Sequence, residues 1–129
     1  MTFDPGLIAI TPVLHVGKLD EAVRFFTQVL PFTVRHMFGG YAYLDWGPVA
    51  VRLMDETIYG PPPPGDRRFK HYIDVHDVDA VFALLKDRLA LLPAGDVHGP
   101  ADKPYGQREL CILAPDGDLV VFGSEIAAA

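Results

Sequence analysis

Residues 70 to 77 read KHYIDVHD, two histidines and two aspartates within eight positions, a density of ligand-type side chains that raises metal coordination as a first candidate chemistry. The β-prone character of the stretch argues against it. Side chains alternate across a strand, so His71 and His76, five apart, face opposite sides and cannot share an ion. Lys70, Tyr72, Asp74 and His76 fall on one face. Of these only Asp74 and His76 are ligands that could meet, and a zinc or iron site needs more than two. A third would have to come from Asp45 or Glu109.

Two cations raise a different possibility. Arg52, in VAVRLM, and Lys70 both sit inside strand-like runs, where a charge is costly unless it is paired or hydrated. Two roles fit: an internal salt bridge, Lys70 with Asp45 or Arg52 with Glu109, or an anchor for an anionic ligand. No nucleophile is paired with a base, since Ser124 and Cys111 lie in apolar runs with no histidine at a readable spacing. Glycines that cradle phosphate are absent as well, because FGGY precedes a strand instead of opening a helix.

The elements that must position these residues come from a repeat. VGKLDEAVRFFTQVL from Val16 aligns with VHDVDAVFALLKDRL from Val75 at an offset of 59 residues, 75 − 16. Leu19, Ala22, Val23, Phe26 and Leu30 form one apolar helical stripe, and Val78, Val81, Phe82, Leu85 and Leu89 form its counterpart. Each helix therefore covers a sheet. Asp77 is placed to cap the second helix, whereas the first has Lys18 there and should start less sharply.

Strand-like runs precede each helix, IAITPVLHV and FKHYIDV, and follow it, YAYLDW and VAVRLM in the first half and ELCILA and LVVFGS in the second. Hairpin turns are expected at Gly47–Pro48 and at Pro115–Asp118, with Asp116 and Gly117 supplying positive φ. The reading is a single domain over 1–129 with a first module at 7–58 and a second at 67–126. The proline-rich stretch 59–66, YGPPPPGD, joins them, because four prolines in succession enter neither a ladder nor a helix.

Composition sets the outer limits. With 50% hydrophobic and 22% charged residues in 129, the chain has enough apolar material for a packed core. Its net charge of −6 and lack of a basic stripe exclude nucleic acid as the expected partner. The single cysteine permits no disulfide within the chain, and Cys111 reads as a small buried hydrophobe. No run reaches membrane-spanning length and no secretory leader is legible, so the expected location is cytoplasmic.

The two tandem βαβββ modules, together with PYGQREL leading into LAPDGDLVVFGS, resemble the vicinal oxygen chelate superfamily of glyoxalases, extradiol dioxygenases and bleomycin-resistance proteins. The aromatic-Gly-x-Arg-Glu segment at Tyr105, Gly106, Arg108 and Glu109 is most similar to the bleomycin-resistance branch. The resemblance implies an α+β fold whose modules build a U-shaped sheet cavity. In metal-using members, four strands of that cavity each supply a ligand. The matching positions here are Thr11, Arg52, Lys70 and Val121, none of them a usual metal ligand.

The resemblance and the missing ligands together imply a metal-free binder with no cofactor, sequestering a small organic compound, such as an antibiotic or other toxic molecule, in a cleft shared by a homodimer. The alternative is a lyase, isomerase or oxygenase with an absent or non-standard metal site, such as one using Asp74, His76 and Glu109. The candidate ligand-binding residues are Tyr43, Trp46, Arg52 and Lys70, with Tyr72, Asp74, Tyr105 and Arg108. Pro12, which cannot donate to a ladder, is expected at an edge or hinge. In bleomycin-resistance relatives the N-terminal strand crosses to the partner, and Pro12 is placed to be that hinge.

Overall fold

The computed structural model describes residue 6 and the segments 8–60 and 69–126. Prolines 61–64, the heart of the expected linker, lie outside them. The repeat appears as two four-stranded sheets, ordered β1-β4-β3-β2 and β5-β8-β7-β6. The first contains β1 (Val13–Val16), β2 (Thr33–Phe38), β3 (Tyr41–Trp46) and β4 (Val49–Asp55). The second contains β5 (Lys70–Asp74), β6 (Val97–Asp102), β7 (Gln107–Leu113) and β8 (Leu119–Glu125). In each sheet the first strand runs parallel to the last and the remaining pairs are antiparallel. The fold class is α+β, as the repeat predicts.

The apolar stripes do what their period requires. Helix α1 (Leu19–Arg24) runs into a π-helical turn over Phe25–Val29, where Leu30 N–H reaches back to the Phe25 carbonyl. Ala22, Phe25, Phe26 and Leu30 are buried in one core with Leu44 and Leu53. A short helix α2 (Glu56–Tyr59) follows β4. Helix α3 (Val78–Leu89) buries Val78, Leu85 and Leu89 in the same core as Leu110, Ile112 and Phe122. Each fully buried leucine of this kind contributes roughly 1.5–3 kcal/mol.

The helix starts differ as expected, with one addition. Asp77 Oδ1 accepts from the Asp79 and Ala80 amides at 3.0 and 3.3 Å, an N-cap made by the residue the sequence offers. Lys18 makes no side-chain cap. Instead Asp55, at the end of β4, accepts from Leu19 N–H at 3.1 Å. That bond spans 36 residues, so periodicity could not reveal it. Asp55 also accepts from the Thr57 hydroxyl and amide, and these bonds hold its carboxyl below the ordinary range.

Three expectations are corrected. Asp116 does not adopt positive φ; in its hairpin only Gly117 does, at 93°. The Asp116 carboxylate instead accepts from Gly17 N–H at 2.9 Å, tying a turn of the second module to the start of the first helix. Second, the run IAITPVLHV is a strand only from Val13 onward, because Pro12 has no N–H to give. Its carbonyl still accepts from Arg52 N–H at 2.9 Å, and β1 is an edge strand. Third, Cys111 is half-buried on the face opposite Leu110 and Ile112 rather than within the core.

The modules meet through aromatic packing on their core faces. Phe32 lies edge-on to Trp46 at 6.0 Å, and Trp46 to Phe122 at 5.8 Å. The core cluster accordingly draws residues from both sheets and both long helices.

Candidate functional site

Since the core faces turn toward each other and the helices, each sheet has a second face left for other uses. On the first sheet the register places Tyr43 opposite Arg52 and Tyr41 opposite Met54, on the side away from buried Ala42, Leu44, Val51 and Leu53. The Arg52 guanidinium stands 4.8 Å from the centre of the Tyr43 ring and donates to the Tyr41 hydroxyl. It forms no salt bridge among the described residues. Asp45, on the same face, pairs with Arg35 at 2.8 Å. Neither salt bridge open to the two cations in the sequence, Lys70 with Asp45 or Arg52 with Glu109, is present among the described residues.

On the second sheet the open face is ordered in rows. Lys70 pairs with Leu119, Tyr72 with Val121, and Asp74 with Gly123; beyond them lie Leu113, Cys111 and Glu109 on β7. Gly123 lets Tyr72 lie across the sheet. A Cβ built on Gly123 would stand 2.7 Å from Tyr72 Cε1 and closer still to Cζ and Oη. The phenol crosses that bare position to donate to Gln107 Oε1 at 3.1 Å, and Glu109 is the register partner of that same glycine. Burial first, and Glu109 second, push Tyr72 up to about 12. Tyr105, in the β6–β7 turn, is likewise raised, chiefly by Glu109. The Cys111 thiol is raised by burial.

The eight candidate residues therefore separate. Tyr43 and Arg52 stand together on the first open face; Lys70, Tyr72 and Asp74 stand on the second, with Tyr105 at its end. Trp46 turns into the module junction against Phe32 and Phe122. Arg108 points to the helix side: Nε and Nη2 grip Asp79, with the Nε–Oδ2 bond at 3.1 Å, and Nη1 holds Asp102 at 3.0 Å. It braces α3 to β6. The sequence offers Glu109 only as a third ligand or salt-bridge partner, and it gives Gln107, Gly123 and Tyr41 no chemical distinction. The available signal is parity, since residues 107, 109 and 111 must share a face once β7 is a strand.

Three cavities touch these faces. One of about 530 Å³ lies where the strand edges of the two modules approach, between Pro12, Pro48 and Ala50 on one side and Lys70, Tyr72 and Asp74 on the other. A second, about 500 Å³, is bordered by Lys70, His98, Lys103 and Cys111. A third, about 670 Å³, lies beside Tyr105, Gln107 and Glu125 and includes His76. His71 faces the core side, with Nε2 3.7 Å from Asp118 Oδ2; Asp118 also accepts from Phe69 N–H at 3.2 Å, fixing the entry to β5.

The described residues do not fit a metal. Thr11 precedes β1, Arg52 is on β4, Lys70 opens β5 and Val121 is buried on β8, so the four positions offer a hydroxyl, two cations and an aliphatic group. Among the described residues no three His, Cys, Asp or Glu side chains are grouped to hold an ion, the set Asp74, His76 and Glu109 included. No helix in them is long and apolar enough to cross a membrane.

Comparison with known proteins places this geometry. The chain is 24% identical over 131 residues to a bleomycin resistance protein of Geobacillus stearothermophilus, covering 89% of this chain and 95% of that one. The same figures hold for a bleomycin resistance protein of Staphylococcus aureus. Among solved structures, a glyoxalase/bleomycin resistance protein/dioxygenase from Nocardioides superposes with a TM-score of 0.72 at 20% identity, over 99% of this chain and 89% of that one. A bleomycin-binding protein from Streptomyces verticillus in complex with copper(II)-bleomycin gives 0.71 at 20%, over 93% and 98%. A lactoylglutathione lyase from Agrobacterium tumefaciens gives 0.69 at 19%, over 92% and 95%. The model of the Glyoxalase/Bleomycin resistance protein/Dioxygenase superfamily matches residues 8–122, most of the chain and both modules, and this protein is a member of that superfamily.

Proposed function

We propose that this protein binds a small, partly aromatic organic molecule without transforming it, in the manner of the bleomycin-binding members of the superfamily. The observation that carries the reading is Arg52. It is half-buried on an open sheet face, stacked on Tyr43 and bonded to Tyr41, and has no carboxylate partner among the described residues. A guanidinium held in that way presents a planar donor fork to an incoming carboxylate, with little side-chain freedom left to lose. The ligand then bears an acidic group at Arg52 and an aromatic body over the tyrosines.

The working unit in this proposal is a homodimer. Ile8 and Ile10 are each 98% exposed, apolar side chains that nothing among the described residues covers, and they lead through Pro12 into an edge strand that can accept a partner. The open face of one subunit's first sheet and that of its partner's second sheet would then wall a shared cleft. Sedimentation at micromolar concentration should give a dimer, and Ile8→Asp with Ile10→Asp should give a monomer. A monomeric wild-type protein would rule out the shared cleft.

Native mass spectrometry of the purified protein tests whether a compound is retained intact, and turnover of that compound would defeat the binder reading. Calorimetric titration with an aromatic carboxylate such as 1-naphthoate tests the anchor. Arg52→Ala should weaken binding by about 2–3 kcal/mol, the scale of a charged hydrogen-bonded partner. Unchanged affinity with a lowered melting temperature would make Arg52 a structural brace instead. Trp46 fluorescence is a poor reporter for this purpose, because the indole packs between Phe32 and Phe122.

A further inference from the structure

The cavity of about 500 Å³ on the second sheet gathers positive charge in a chain whose net charge is −6. Lys70 borders it from the start of β5, His98 from β6 and Lys103 from the β6–β7 turn, and no carboxylate among the described residues lines it. Neither lysine forms a salt bridge among the described residues, whereas Arg35 and Arg108 hold aspartates. The register sets His98 directly across from Cys111, which carries the row of Tyr72, Val121 and Cys111 onto β6. Both ammonium groups act on that one sulfur: burial and then Glu109 push the Cys111 thiol up, and Lys103 and Lys70 pull against them. Like charges brought to one cavity without a counter-charge repel each other, a cost that an arriving anion removes.

We propose that Lys70, Lys103 and His98 form a binding site for a phosphate monoester, a tetrahedral dianion carried on a small organic body. Lysine meets such a group as a compact charge with three rotatable donors, whereas the planar fork of Arg52 suits a carboxylate. His98 adds a ring N–H donor. Phe69, Leu113 and Leu119 give the same cavity apolar walls for the organic body. Gly95, also in the lining, leaves its side-chain position open, since a Cβ there would meet no atom within 4 Å. Side-chain charge thus serves in place of the glycine loop that the sequence lacks. The net charge of −6 opposes an anion at long range, but salt screens it beyond roughly 8 Å, and inside the cavity the lysines set the sign. The inference rests on the small-molecule reading of the protein and adds a phosphate group to the ligand. It needs neither Arg52 nor a partner subunit, because every residue in it lies between Phe69 and Leu119 of one chain.

The test is an NMR titration of the ¹⁵N-labelled protein at about pH 7.5, where a phosphate monoester carries nearly two charges. Phenyl phosphate should produce saturable shifts at the amides of Gly95, His98, Cys111 and Gly117. Phenyl sulfate, of the same shape but with one charge, should bind at least about tenfold more weakly, since both ammonium groups then meet half the charge. Lys70→Gln and Lys103→Gln should each cost phenyl phosphate about tenfold, while Lys86→Gln, on the exposed side of α3, should cost it nothing. The proposal is overturned by equal binding of phenyl sulfate, by full phenyl phosphate affinity in the Lys70→Gln, Lys103→Gln double variant, or by shifts confined to Tyr43 and Arg52. Absence of any saturable shift with phenyl phosphate overturns it as well. Should the double variant fail to fold, the phosphate and sulfate comparison in the wild-type protein still decides. Titration with 1-naphthoate in parallel separates the two readings: naphthoate binding without phenyl phosphate binding sinks the phosphate site alone, and the reverse sinks the Arg52 anchor alone.

Discussion

Replacing Gly123 by Ala should evict Tyr72 from the sheet while leaving the protein folded. The new Cβ would sit 2.7 Å from Tyr72 Cε1 and nearer to Cζ and Oη, closer than carbon atoms can approach. Because β8 is a central strand paired on both sides, the ring must move and not the backbone. Losing the Tyr72–Gln107 bond costs about 0.5–1.5 kcal/mol, and replacing glycine by alanine within a strand returns about 0.5–1 kcal/mol. The two nearly cancel, so the melting temperature should change little. The phenol itself reports the eviction. Tyr72 is raised to about 12 mainly by burial; freed into water it returns to about 10. At pH 11 its ionised fraction should then rise from about one tenth to about nine tenths, since each pKa unit is a factor of ten. Absorbance at 295 nm, with Tyr72→Phe identifying the component, measures it. The stability effect has a definite sign: a phenol raised in the folded state contributes fully below its unfolded value near 10, and the contribution is lost as pH climbs through about 12. Gly123→Ala should flatten that alkaline decline. An unmoved Tyr72 transition in a folded Gly123→Ala protein would mean that the ring does not lie over Gly123, and the eviction argument would fail.

Glu109→Gln should lower the titrations of both phenols but to different extents, more for Tyr105, whose shift is led by Glu109 with burial second, and less for Tyr72, whose shift is led by burial; the same absorbance titration distinguishes them. Asp77→Ala removes the acceptor of two helix N–H groups and should cost about 1 kcal/mol, read as a fall of about 3–5 °C in melting temperature, whereas Lys18→Ala, which takes no cap away, should leave it unchanged.

The repeat, its two amphipathic helices, the Asp77 cap and the α+β class are legible in the chain because each depends on residues within a few positions of one another. The edge strands β2 and β6 are less so: both carry register shifts, after Val34 and after His98, and both are largely exposed, so neither shows a clean alternation. Parity alone can place Lys70, Tyr72 and Asp74 on one face. It cannot say which face is open, since that depends on where the helices land. Nor can it anticipate the partners. Arg35 takes Asp45, Asp79 and Asp102 take Arg108, Asp55 caps a helix 36 residues earlier, and Asp116 reaches Gly17 across 99 residues. Each pairing depends on which strands and turns lie side by side. The burial of Glu109 belongs to the same class, for beside it a tyrosine on β5 crosses a glycine on β8 to reach β7, three strands that only the folded sheet brings together.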